Sequence, residues 1–214
     1  MDFVLFGIQG SGKGTQSKFL AEKFNLKIFE MGGQLRILAQ EDSELGKKIK
    51  NIIEAGHLVP TDVVMEIIEN FIKNIPENTD VLFDGIPRSL EQAEQFNALM
   101  EKSNRQFAGV YFELSKEEAI RRLTTRRMCK ICKTIYPAAY MNNTCTCGGE
   151  LITRADDNIA SIENRINAFF NETMPIISAY ESKNIIIKVD ALPPIEKVTE
   201  SMMEKVEMFL VKSS

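Results

Sequence analysis

The chain has 214 residues, a formal net charge of −4, 44% hydrophobic and 26% charged side chains. That balance supports a buried core and excludes a disordered chain, and the acidic total argues against a general nucleic-acid coat. No apolar run approaches the roughly 18 residues of a membrane-spanning helix; the richest, 185–189, is strand-sized and contains Lys188. The opening Met1-Asp2-Phe3-Val4-Leu5-Phe6-Gly7 has neither a basic n-region nor a cleavage site, so a cytoplasmic protein with no membrane partner is expected.

In chain order, residues 2–6 read as a buried strand, 7–14 as a glycine-rich turn and 15–24 as a helix. Segments 30–40 and 43–55 read as two helices, the second stopped by Gly56. Thr61-Asp62 can cap a helix running to residue 73. A strand at 81–83 ends at Asp84-Gly85, and a helix follows over 89–102. A strand at 108–114 leads to a helix reaching residue 127, capped by Ser115 with Glu118 completing a capping box. A Cys-rich, turn-rich insert extends to residue 156. Then come a long helix over 158–182 with a kink at Pro175, a strand at 185–189 and a helix at 195–211. Met202, Met203 and Met208 of that last helix read as core filler. Strands alternating with helices predict an α/β fold, a central parallel sheet with right-handed crossovers.

Charge is uneven. Residues 116–133 carry a local +5, which leaves −9 on the rest of the chain. A basic face on an acidic protein suits a small polyanion better than a long nucleic acid, so no nucleic-acid partner is expected. The lack of a large apolar surface stripe makes a monomer the default.

Gly7-Ile8-Gln9-Gly10-Ser11-Gly12-Lys13-Gly14-Thr15 stands between a predicted strand and a predicted helix. Small residues let backbone N–H groups curl around an anion, the helix N-terminus adds partial positive charge, and Lys13 supplies a full one. The general phosphate-loop pattern has Ser or Thr straight after Lys; here Gly14 intervenes before Thr15. The loop indicates a nucleotide phosphate without naming a reaction.

All four cysteines lie in one stretch, as Cys129-x2-Cys132-x12-Cys145-x-Cys147. Clustering argues for a metal over a disulfide framework, and four thiolates suit a closed, structural zinc site. The second pair is one residue shorter than usual, which predicts tighter ring geometry there.

Taken together the motifs resemble the adenylate kinases, nucleoside monophosphate kinases that convert ATP and AMP to two ADP. The loop through Gln16 looks like theirs. So do Asp84-Gly85-Ile86-Pro87-Arg88 (except for Ile86), Gln92, Glu44-Leu45-Gly46, Ala55-Gly56, Arg122 with Arg126, and Arg154-Ala155-Asp156-Asp157 followed by Arg165. The resemblance implies a P-loop kinase core (1–29, 61–127 and 158–214), a helical AMP-binding arm (30–60) and a small zinc-bearing lid (128–157). It implies ATP, AMP and ADP as ligands, Mg2+ with ATP, and Zn2+ on Cys129, Cys132, Cys145 and Cys147.

It also implies roles. Gly10, Ser11, Gly12, Lys13, Gly14 and Thr15, with Arg122 and Arg126, would hold ATP. Met31, Gly32, Arg36, His57, Leu58, Val59, Gly85, Arg88, Gln92, Arg154 and Arg165 would line the AMP pocket. Lys13, Asp84, Arg88, Arg122, Arg126, Arg154 and Arg165 would carry the transfer, with Asp84 holding magnesium through waters. Arginine suits the task because its planar fork takes two phosphate oxygens at once. Arg122 and Arg126, four apart, are expected on one helix face, with Arg127 a weaker candidate beside them. Gln92 is expected to read the adenine edge, donating and accepting together. Asp156 and Asp157 either pair with arginines or cap the following helix.

Two departures concern the acceptor pocket. The family has Thr-Gly-Asp where this chain has Met31-Gly32-Gly33, which removes a hydroxyl near the base and sugar. His57 stands where a lysine is common and is read as a surface residue, because an ionised phosphate acceptor requires no base. The alternatives are a kinase for another nucleoside monophosphate, a non-catalytic nucleotide sensor, and a nucleic-acid binder using the four-cysteine module. Gln92 opposes the first, Lys13, Asp84 and the arginines the second, and the acidic total the third.

Overall fold

The computed structural model describes residues 1–138, 140–154 and 156–213. The apolar run at the start makes β1 (Asp2–Gly7), buried along its whole length. The glycine-rich turn leads into α1 (Lys13–Phe24). A strand not expected from the sequence follows, β2 (Lys27–Glu30), and α2 (Met31–Leu38) starts directly from its end. In β2 only Phe29 is buried, so the segment carries neither an apolar run nor an alternating pattern. Helix α3 (Glu44–Glu54) is capped by Ser43, whose Oγ accepts from Gly46 N at 3.0 Å.

Helix α4 (Thr61–Lys73) has Pro60 at its cap; Thr61 instead donates through Oγ1 to Glu91 Oε2 at 2.9 Å. Strand β3 (Val81–Asp84) is followed by α5 (Leu90–Lys102), capped by Ser89. After β4 (Phe107–Glu113), α6 (Lys116–Thr125) is capped by Ser115, whose Oγ accepts from Glu118 N at 3.2 Å. The expected capping box is half made, because the Glu118 carboxylate turns to Arg121 and Arg122 at 2.7 Å. The helix also stops short of residue 127. Arg126 is extended (ψ 151°) where the chain enters β5 (Arg127–Cys129).

Strands β6 (Ile135–Tyr136) and β7 (Leu151–Ile152) flank β5 antiparallel. The expected long helix is α7 (Ile159–Ala168), a single wide π turn (Phe169–Thr173), then α8 (Met174–Ser182). Pro175 sits in the first turn of α8. Having no N–H, it cannot continue the ladder of α7, and the wide turn accommodates its ring. Strand β8 (Ile186–Asp190) and α9 (Ile195–Ser213) complete the chain.

Among the described residues the large sheet is wholly parallel, in the order β2-β3-β1-β4-β8. Period-2 alternation splits its side chains between two cores. Val4, Phe6, Phe29 and Phe83 pack with Val64, Phe96, Ile162 and Ile176 on one face. Phe3, Leu5, Val110 and Phe112 pack with Leu20, Val198 and Met202 on the other. Met202 is core, Met203 half-buried, and Met208 is 53% exposed, so it fills nothing. Parallel pairing brings the ends of β1, β2 and β3 to one edge, with Leu5 and Glu30 both in register with Asp84. Ligands of open parallel sheets bind at that edge. Among the described residues no helix is long and apolar enough to cross a membrane.

Candidate active site

At the end of β1 the chain turns through Gly10 and Gly12 into α1. Gly12 has φ 90°, which disfavours any side chain, and a Cβ there would meet nothing within 4 Å. Its conformation is therefore required by the turn, and the space above it is open. Lys13 reaches back across the loop, with Nζ donating to Gly7 O at 2.5 Å and Ile8 O at 3.2 Å. Burial pulls the Lys13 ammonium down to about 8 against the attraction of Asp84, with Arg88 and Arg126 pushing the same way as burial. Gln9 Oε1 and Ser11 Oγ, both in this loop, are buried with no hydrogen-bond partner. Such orphans are rare in native proteins.

Asp84 ends β3 beside the loop. Burial raises its pKa, and so does Glu30, while Lys13, Arg88 and Arg36 pull it down. Arg88 donates through Nε to Gly85 O at 2.9 Å. Arg36 donates to Glu30 Oε1 at 2.8 Å. Met31 is buried, and a Cβ on Gly85 would lie 3.7 Å from its Cβ. Gly32 lies under the Arg36 guanidinium, 3.1 Å from Nη1 by the same measure. Gln92 is buried too, but its Oε1 accepts from Arg88 N at 2.8 Å. One lone pair of that oxygen is thereby taken, leaving its second lone pair and the amide N–H groups. Leu58, Val59 and Gln92 line a cleft of about 530 Å³, and His57 lies exposed beside Leu58.

The remaining arginines hold different carboxylates. Arg122 donates to Glu118, and to the carbonyls of Ala191 and Leu192 at 3.1 and 3.2 Å. Its Nη1 also approaches Gly10 O of the loop at 3.5 Å. Arg126 pairs with Asp157 through two bonds of 2.6 and 2.7 Å. Arg122 and Arg126 thus do not act as one face: one turns back along α6, the other forward across the insert. Arg154 pairs with Asp156 at 2.6 and 2.9 Å, and Arg165 bridges Asp156 and Asp157. The two aspartates therefore pair with arginines, and the helix cap falls to Asn158. Ala155 of that motif lies outside the described residues. Arg127 bonds Tyr140 and Asn143 within the insert and takes no part in this cluster.

These groups form one electrostatic neighbourhood. Lys13 feels Arg88 and Arg126, and Arg88 feels Arg36 and Arg165. Such a concentration of cations beside a half-buried carboxylate suits a polyphosphate in charge and hydrogen-bonding. Glu30 and Glu118 hold two of the arginines; the sequence marks Glu118 only as a capping-box residue and does not mark Glu30. Glu118 lies one helical turn before Arg122, a spacing too common to select it, and Glu30 lies six residues before Arg36, outside any helical pairing distance.

The sequence model described as adenylate kinase matches residues 5–185. The chain belongs to the adenylate kinase family. The adenylate kinase of Methanocella arvoryzae is 35% identical over 205 residues, 93% of this chain and 95% of the relative. That of Staphylococcus aureus strain Mu50 is 33% identical over 210 residues, 95% and 98% of the two chains. That of Archaeoglobus fulgidus is 33% identical over 216 residues, 97% and 100%.

This adenylate kinase family member carries a second candidate site in its cysteine insert. The four sulfurs lie within 4.8 Å of one another. Cys129 and Cys147 approach to 3.6 Å, Cys132 and Cys145 to 3.4 Å. Tetrahedral ligands on 2.3 Å bonds would stand about 3.8 Å apart, so the set fits one ion. Backbone N–H groups of Cys132 and Cys147 donate to the sulfurs of Cys129 and Cys145 at 3.4 and 3.5 Å. The bond from Cys147 N, helped by the Tyr136 hydroxyl, brings the Cys145 thiol down to about 6. The short second pair closes through Cys145 N to Gly149 O at 2.7 Å. A Cβ on Gly149 would lie 2.6 Å from Cys129 Sγ, so glycine is required where the turn meets the sulfur.

Burial pushes the Asp156 carboxyl up, but Arg154, Arg165 and Arg126 outweigh it and hold the pKa below the usual carboxylate value. A depressed acid contributes stability above its unfolded pKa and loses it as pH falls through the lower folded value. Asp156→Asn should cost about 2–3 kcal/mol at neutral pH. It should also flatten the loss of stability below about pH 4. Urea unfolding from pH 7 to 3 checks both; an unchanged acid slope contradicts the pairing.

Proposed function

We propose that this chain transfers the γ-phosphate of ATP reversibly to AMP, giving two ADP. The observation that carries the reading is the phosphate loop with Lys13, in one electrostatic neighbourhood with Arg36, Arg88, Arg126 and Arg165 in a chain of the adenylate kinase family. Phosphoryl transfer asks little of a protein beyond positioning and charge neutralisation. In this reading Gly10 to Thr15 cradle the donor phosphates, and Lys13, Arg122 and Arg126 neutralise them. Arg36 and Arg88 receive the acceptor phosphate, and Arg154 and Arg165 bear on the transferring group. The acceptor is already ionised, so His57 has no proton to take, and transfer is direct with no covalent intermediate.

Asp84 is the oxygen donor that suits a hydrated Mg2+ accompanying ATP, an ion that screens charge on the β- and γ-phosphates. We read 1–29, 61–127 and 158–214 as the core, 30–60 as the acceptor arm and 128–157 as a lid. The lid is too small for a core of its own, so Zn2+ on Cys129, Cys132, Cys145 and Cys147 supplies folding energy there. Lid closure would expel water, so that phosphate passes to AMP and not to water. Localisation is read as cytoplasmic and the chain as a monomer, with no nucleic-acid or membrane partner.

One observation favours a second reading, another nucleoside monophosphate as acceptor. Gln92 Oε1 already accepts one bond from Arg88 N, and the amide, still able to donate and to accept once more, suits a keto oxygen as well as the adenine edge. An acceptor panel of AMP, UMP, CMP, GMP and dAMP with Mg-ATP separates the two. AMP should be the best acceptor, and Lys13→Ala should lower turnover about 100-fold or more. A different preferred acceptor overturns the substrate, and no transfer with ATP still bound favours a sensor.

Protein purified without chelator should contain one zinc per chain by elemental analysis. Cys129→Ser should lose that zinc and unfold at lower temperature. Absence of stoichiometric zinc overturns the metal assignment.

A further inference from the structure

Glu30 ends β2 in register with Asp84 of β3 and precedes the first turn of α2. It stands at the N-cap position without capping the helix. Instead its carboxylate folds over the two glycines that follow. Oε1 accepts from Arg36 Nη2 at 2.8 Å. A Cβ on Gly33 would lie 3.3 Å from Oε2 and 3.6 Å from Cδ, and one on Gly32 would lie 3.7 Å from Oε1. The volume that a side chain at position 33 would enter is therefore already taken by the Glu30 carboxylate. Both Asp84 and Arg88 feel its charge.

We propose that Glu30 is a residue that sets acceptor affinity, an internal anion on Arg36 that an incoming phosphate must displace or share with. This rests on the reading that Arg36 and Arg88 receive the acceptor phosphate. A phosphate monoester brings nearly two negative charges into a cradle that already holds a fixed one, and like charges this close are not fully screened. The Glu30–Arg36 pair is half exposed, 54% and 41% by side chain, so it is weak and displaceable. Glu30 thus tunes acceptor affinity and does not block the site. Met31 and Gly33 offer no polar side chain from the same turn that could offset the repulsion.

The test compares the unaltered protein with Glu30→Gln and Glu30→Ala. Glutamine keeps an acceptor for Arg36 and removes the charge; alanine removes both. In each variant KM for AMP should fall about three- to tenfold, and KM for ATP should not follow it. KM for AMP should also rise more steeply with added NaCl in the variants, because the cradle then carries one more uncompensated positive charge. Inorganic sulfate, competing with AMP, should inhibit both variants at lower concentration than it inhibits the unaltered protein. KM for AMP that is unchanged or higher in both variants overturns the proposal. A rise in Glu30→Ala alone would make Glu30 a support for Arg36 and overturns it too. If the unaltered protein turns over no AMP, the functional reading falls and this inference with it; if it does and KM does not drop, only the inference falls.

Discussion

Like charges crowd one edge of the sheet, and each must be held apart and held in place before any phosphate arrives. Lys13 and Arg88 face Asp84; Arg36 has Glu30, Arg122 has Glu118, and Arg126, Arg154 and Arg165 share Asp156 and Asp157. Without these partners a cluster of buried guanidinium groups would cost more than the core around it could offset. The carboxylates explain how an acidic protein carries a strongly cationic site. They also explain why the arginines are pre-aimed and not splayed into solvent.

The pairings are not of equal strength. The Asp157 side chain is fully buried and bidentate to Arg126, a geometry that fixes the junction between α6 and α7. Glu30 and Arg36 are half exposed and joined by a single bond, which is worth little on its own. Core-side charges are therefore locked, and the charge at the start of α2 is free to exchange its partner. The end of α3 is tied to α7 by Asn164 bonding Ala55 O at 2.9 Å.

The fold's main elements were legible because their signals are local. The β1 run, the glycine spacing before Lys13 and the Ser caps of α3, α5 and α6 each declare themselves within a few residues. Strand β2 was not legible, since its four residues are recruited by the edge of β3 and not by their own pattern. The arginines were legible as a set through the family resemblance; of their partners only Asp156 and Asp157 were, and there pairing stood open beside helix capping. Spacing along a helix placed Arg122 with Arg126, whereas the fold sends Arg126 to a residue 31 positions away. The bond from Arg88 N to the Gln92 carbonyl was not legible, because that backbone N–H belongs to the turn before its helix. Missing Glu30 followed from missing β2, because only the strand register reveals that it stands beside Asp84.

The central claim is that the chain's own carboxylates hold the cations where the phosphates of two nucleotides will lie. A crystal structure with AMP and a non-hydrolysable ATP analogue bound together tests it most directly. The account predicts donor phosphates on the loop, Lys13, Arg122 and Arg126, and the acceptor phosphate on Arg36 and Arg88, with Arg36 released from Glu30 or shared with it. Phosphates bound elsewhere, with every arginine still on its carboxylate, would contradict it.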